Sequence, residues 1–280
     1  FEEQLKQLLQ HFVLCGDRHC DSPGHSAKVK TVAFKVVSCN QVSSSNTMDI
    51  RGFKEALATI EQNGVKVSTI STDRHSQTVK ELRVSNPEKY HEFDPWHVVK
   101  GVSKKLAAAA KRRECEGLGE CIPFIINHFW WCAQTCGGDA DVMKEKWVSV
   151  IHHITNRHDW PGNRHYHCCA HEPLDETSQR SKLWLQPGSE VHQALVKIVK
   201  DKQLLKDLGH LTKVIHMTSL EVYHSMCLKF LPKNTHFGYD VMIHASMLAP
   251  LNHNNNVNRE QVGELSLFTP LSHCILCKIL

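Results

Sequence analysis

Apolar and polar positions along this chain alternate between two periods, one close to 3.6 residues and one close to 2. Leu5, Leu8 and Leu9 stand at helical spacing over residues 2–10, a short amphipathic lead-in. The run His11-Phe12-Val13-Leu14-Cys15-Gly16 reads as a buried strand that ends on Asp17, and Cys20-Asp21-Ser22-Pro23-Gly24-His25 is turn chemistry. A β-branched run over 29–37 predicts a second strand, and 40–46 a third, short, polar edge strand. Phe53, Leu57 and Ile60 share one helical face over 51–63, closed by Asn63-Gly64 as a C-cap. Residues 65–72 alternate as a strand and end on Asp73. A polar helix over about 76–84, a short strand at 90–93 closing on Asp94 and a helix from about 96 to 113 follow.

The predicted order is therefore β-β-β-α-β-α-β-α. A three-stranded meander followed by alternating units is the order of a ribonuclease-H-like α/β fold, a mixed sheet with helices on both faces. After residue 113 the pattern turns mostly helical and rich in Trp, Cys and His, with Trp130, Trp131, Trp147, Trp160 and Trp184. The expected organisation is a core over 11–113, a helical insertion over 114–215, a return to the core over 216–262, and an unrelated tail over 263–280. The final core helix begins near Ser219, with an apolar stripe of Leu220, Tyr223, Cys227, Leu228 and Leu231. Glu221, His224 and Ser225 share its adjoining face.

Composition narrows the setting. The net charge is only +4, so the chain is not a globally basic nucleic-acid coat, and its 21 histidines are the anomaly. Its 12 cysteines, without a secretory signal, favour reduced thiols and metal ligands over a disulfide framework. No apolar run has the length of a membrane span. An intracellular, nuclear setting is expected, and a start at Phe1 rather than Met predicts a piece cut from a longer protein.

Three sets of residues carry candidate chemistry. Asp17, Asp73 and Glu221 are oxygen donors at strand ends and on a helix. Such a set suits two Mg²⁺ or Mn²⁺ ions that activate a water or a 3′-hydroxyl for in-line attack on a phosphodiester. Asp21 is the alternative first carboxylate. His153, His158, Cys169 and His171 supply the four N and S donors of a tetrahedral structural zinc site, with Cys132, Cys136 and Cys168 as spares. Lys104, Lys105, Lys111, Arg112 and Arg113 form a basic stretch around an alanine-rich middle. That is a solvated helix face unless the protein handles DNA, in which case it meets phosphates.

Several strings, in order from about 12 to 259, resemble the DDE transposases of eukaryotic cut-and-paste DNA transposons. They are residues 15–25, Thr72-Asp73-Arg74-His75, Asp94-Pro95-Trp96-His97, Asn127-His128-Phe129-Trp130-Trp131-Cys132, Lys146-Trp147, Leu205-Lys206-Asp207-Leu208, Leu220-Glu221-Val222-Tyr223-His224-Ser225 and Leu231-Pro232-Lys233. Asp94-Pro95-Trp96-His97 looks like the C/D-x-x-H signature of the hAT, Mutator, P and Kolobok groups. The resemblance implies a ribonuclease-H-like core with a helical insertion, and Asp17, Asp73 and Glu221 as the metal-binding triad. It further implies Asp94 and His97 as accessory groups that orient the site or touch a base or phosphate. Transposon-end and target DNA would be the partners, with a homodimer or higher oligomer as the working form. Arg18-His19 stands where the family carries Gly-Arg, and His244-Ala245-Ser246 where it tends to carry Ala-Arg. A truncated or decayed copy is expected. The rival expectations are a catalytically inactive, domesticated derivative and a zinc-stabilised interaction module without a nucleic-acid role.

Overall fold

The protein is mixed α/β and mostly helical, with a small parallel sheet. The computed structural model describes residues 12–17, 30–35, 37, 44–214, 218–232, 234–256 and 274–279. The lead-in at 2–10, the turn at 20–25 and Asp21 lie outside these. The chain divides into two compact units, Phe1–Glu92 with His216–Leu280, and Phe93–Ile215.

The first unit carries strands β1 (Phe12–Asp17), β2 (Lys30–Lys35), β3 (Val67–Thr72) and β5 (Cys274–Ile279), with β4 (Tyr90–Phe93) reaching its edge. The order is β2-β5-β1-β3-β4. β1 runs parallel to β3 and to β5, and β5 parallel to β2. β3 is buried at Val67, Thr69, Ile70, Ser71 and Thr72, on both faces, as parallel strands generally are.

The structure departs from two sequence expectations. Instead of a meander, a strand from the supposed tail lies between β1 and β2. Cys274-Ile275-Leu276-Cys277 is short and apolar enough to serve as an internal parallel strand, which no local pattern assigns to a neighbour. The described part of the predicted third strand is helix. Ser44 caps the helix α1 (Ser45–Gln62) through its side chain, which accepts from the Thr47 amide, so this polar run satisfies its backbone locally.

Helix α1 buries Phe53, Ala56, Leu57 and Ile60, at i, i+3, i+4 and i+7, against Val65, Val67, Ile70, Leu82 and Ala33. It ends in a Schellman motif. The Gly64 amide donates to Glu61 and the Val65 amide to Ile60, with Gly64 left-handed at φ +79°. Helix α2 (Ser76–Ser85) buries only Thr78 and Leu82, as its polar sequence predicts. Late in the chain come α10 (Thr218–Phe230) and α11 (Tyr239–Asn256). Tyr223 and Cys227 are buried, as are Ser246, Ala249 and His253 of α11. Asn254 of α11 accepts from the Thr31 amide and donates to the Thr31 carbonyl, both at 2.7 Å, so one side-chain amide closes part of the exposed edge of β2.

The second unit is helical: α3 (Pro95–Ala110), α4 (Leu118–Thr135), α5 (Ala140–Val148), α6 (Val150–His153), α7 (Glu176–Ser181), α8 (Glu190–Val199), α9 (Lys202–Asp207) and a 3₁₀ turn Leu208–His210. α3, read from sequence with the core, packs here on α4 and α8. Its buried Val98, Val102, Leu106 and Ala109 recur at helical spacing, as do Leu118, Cys121, Ile125, Phe129 and Cys132 of α4. Trp147 of α5 is fully buried, and its indole N–H donates to the Val199 carbonyl at 3.1 Å. Among the described residues, no helix is long and apolar enough to cross a membrane.

Candidate metal centre

His153 closes the single-turn helix α6, and the chain must then reverse to bring further donors beside it. Asn156 makes that reversal with φ +58°, a left-handed conformation that Asn tolerates better than most residues. A narrow two-stranded ribbon follows. The Trp160 amide donates to His167 and the Cys169 amide to His158, both at 2.9 Å, and Asp159 bridges Cys168. This pairing sets His158 across from Cys169. At the ribbon's tip the Glu145 carboxylate accepts the amides of Arg164, His165 and Tyr166 at 2.6–2.9 Å. Burial raises the Glu145 pKa, but those three donors outweigh it and hold the carboxyl below its ordinary value.

The result is a cluster of His153, His158, Cys169 and His171 whose ligand atoms all lie within 4.8 Å of one another. His153 Nδ1 is 3.2 Å from Cys169 Sγ. The three imidazole rings stand 4.9–5.2 Å apart, centre to centre. Trp184 lies edge-on to His153 and His158, at 5.9 Å from each. A cavity borders the group, lined in part by Trp131, Tyr166 and Ala170.

The electrostatics favour neutral ligands. Burial, and then the neighbouring His158 and His171, push the His153 pKa down to about 4. Burial and His171 lower that of His158. Burial, and then Cys168 and Asp159, raise the Cys169 thiol to about 11, so a metal would have to displace its proton. A buried atom gives an independent test of fit: His158 Nδ1 has no hydrogen-bond partner. Four N and S donors around an orphaned imidazole nitrogen fit a metal such as zinc.

The spare cysteines are elsewhere. Cys132 Sγ lies 3.3 Å from His128 Nε2, and Cys136 donates to the Ala133 carbonyl. Cys168 is exposed and outside the cluster. Asn156 and Glu172, which orient two of the ligands, and Trp184, which covers two, have no such role legible in the sequence. Only the two-residue spacing of Asn156 from His158 could have hinted at the first.

The predicted carboxylates fall in the other unit. Gly16 pairs with Thr72 in the β1–β3 register, so Asp17 and Asp73 are the next positions on neighbouring parallel strands, at their carboxyl ends. Thr72 holds that end through its hydroxyl, which bonds the Asp73 carbonyl and His91 Nε2. The strand order reverses between β1 and β3, because the chain moves from β1 to one side and then to the other. Open α/β sheets bind ligands at such switch points. Glu221 is in the first turn of α10, which contacts β1.

Asp94 is the N-cap of α3, accepting the Trp96 amide at 2.9 Å. His97 Nε2 is buried without a partner, its ring edge-on to Trp96. Lys104, Lys105, Lys111, Arg112 and Arg113 are all exposed on or just past α3, and Lys105 pairs with Asp201 at 3.4 Å. Compared with protein-family models, curated proteins and solved structures, the chain matches none.

Proposed function

We propose that this chain is the catalytic part of a DDE-type transposase, a metal-dependent nuclease and strand-transferase acting on transposon-end DNA in the nucleus. On this reading the first unit is a ribonuclease-H-like core, with Asp17, Asp73 and Glu221 sharing two Mg²⁺ or Mn²⁺ ions. The single observation that carries it is the β1–β3 register, with Asp17 and Asp73 at adjacent carboxyl ends where the strand order reverses. The Glu221 helix against β1, and a helical unit entering the chain between β4 and α10, fit the same reading. One ion would lower the pKa of a water, or later of a DNA 3′-hydroxyl, for attack on phosphorus, while the other stabilises the departing 3′-oxygen. The exposed cations of α3 would meet the phosphate backbone, making binding salt-dependent, and a homodimer or higher oligomer would hold paired ends. The protein incubated with its terminal DNA should nick it only with Mg²⁺ or Mn²⁺, and Asp73→Asn or Glu221→Gln should abolish nicking. Equal nicking with and without chelator would end the enzyme reading.

A second reading, a domesticated derivative that binds DNA without cutting it, draws on one further register. Asp17 stands opposite Lys278 of β5. On this reading a lysine stands in register with the first acidic position, where the triad reading needs a metal. Salt-sensitive DNA binding with no cleavage under any divalent ion would select this alternative.

A further inference from the structure

We propose that His153, His158, Cys169 and His171 hold one four-coordinate structural zinc, and that this ion, rather than apolar packing, fixes the segment from residue 155 to residue 184. The first support is the donor atoms themselves. His158 Nε2 donates to Asn156 Oδ1 at 2.9 Å, which leaves its buried and unpartnered Nδ1 for the metal. His171 Nδ1 donates to the Glu172 carbonyl at 2.7 Å, which leaves Nε2. His153 turns Nδ1 toward Cys169 Sγ. Two of the three imidazoles thus have a protein acceptor on the nitrogen away from the cluster, the arrangement that fixes tautomer and ring orientation in metal sites. Tetrahedral zinc with these ligands has donor–donor edges of ~3.4–3.6 Å, so the widest pair, at up to 4.8 Å, must draw in by roughly 1 Å.

The second support is what the segment lacks. Of the described side chains from 155 to 184, Trp160 alone is buried. A segment with one buried side chain among those described has little hydrophobic burial to offset its ordering entropy, and small coreless segments of this kind depend on a metal or a disulfide. Cys168 and Cys169 are free thiols, so the metal is the remaining staple. The donor set also decides the ion. Three imidazoles and one thiolate suit zinc and exclude the hard, oxygen-seeking Mg²⁺ and Ca²⁺. Four protein donors fill a tetrahedron, so the ion is structural and binds no substrate. This site is independent of the acidic residues and stands if the transposase reading falls.

The test uses the whole chain, purified without added metal, with zinc measured by mass spectrometry and exchanged for Co²⁺. The expected result is one zinc per chain, and a tetrahedral Co²⁺ spectrum whose thiolate charge-transfer band is lost in Cys169→Ser and kept in Cys168→Ser. Asn156→Gly, which deletes the outer hydrogen bond yet suits the left-handed backbone, should weaken zinc binding about 10–100-fold. Amide exchange over 155–184 should rise sharply on chelation while α4 stays protected. A preparation with only traces of zinc that takes up no Co²⁺, a charge-transfer band that follows Cys168, or exchange unaltered by chelation would each overturn the proposal.

Discussion

A histidine withdrawn from bulk water favours its neutral form, and the half-buried His128 is such a residue. Its Nε2 donates to the Lys146 carbonyl at 2.8 Å, its ring stacks near Trp131, and burial lowers its pKa. The sign follows. The unfolded chain takes up a proton at the ordinary histidine value of about 6.5 while the folded one resists, so stability present above that pH is lost as pH falls below it. Urea unfolding at about pH 7.5 and about pH 5.5 should therefore show a larger loss in the wild type than in His128→Gln. Equal losses would mean that His128 titrates alike in both states. At this scale the sequence was legible for identity but not for role. His153, His158, Cys169 and His171 could be named as donors because His and Cys are the side chains that bind soft metals. Their outer partners could not, since the bond from His158 to Asn156 exists only once Asn156 turns left-handed. Asp94 shows the converse: a carboxylate picked out for chemistry also caps a helix.

Elements were legible where backbone needs are met locally. The α1 face and its Asn63-Gly64 stop were readable because the Schellman motif uses only neighbouring amides and a left-handed glycine. The meander was not, because an apolar run such as Cys274-Ile275-Leu276-Cys277 does not specify which strand it joins. Two glycines separate the local terms cleanly. A Cβ added at Gly64 or at Gly101, inside α3, would meet nothing within 4 Å, so neither substitution introduces a clash. Gly64 has φ +79°, where an L side chain costs about 1–2 kcal/mol. Gly101 is helical, where alanine gains about 0.5–1 kcal/mol through the unfolded state. Gly64→Ala should lower the thermal midpoint and Gly101→Ala should raise it. Shifts of the same sign in calorimetry would show that something other than backbone conformation governs one of the two sites.

At the scale of the molecule, the two units differ in how the chain builds them. The sheet unit is discontinuous: β1 to β3 come from its first part, while α10, α11 and β5 arrive after residue 216. Its β2 edge is closed in part by Asn254, and β1 is joined to β2 through β5. Removing the C-terminal part therefore takes away internal neighbours, and the remaining strands lose their order. The helical unit is one uninterrupted stretch, Phe93–Ile215, whose core is supplied from within by Val102, Leu106, Phe129, Met143, Trp147 and Leu195. A contiguous stretch of ordinary domain size with its own core meets the conditions for independent folding. Residues 93–215 expressed alone should give a helical circular-dichroism spectrum, dispersed amide resonances and a single cooperative melt in zinc. The two layers of that unit should then respond differently to chelation. The resonances of α3 and α4 persist because burial of their apolar stripes holds them, whereas those of 155–184 collapse because the ion holds them. A fragment that is unfolded in zinc would show that its core is insufficient. One that is folded with all its resonances indifferent to chelator would show that its histidines and cysteine are held by packing after all.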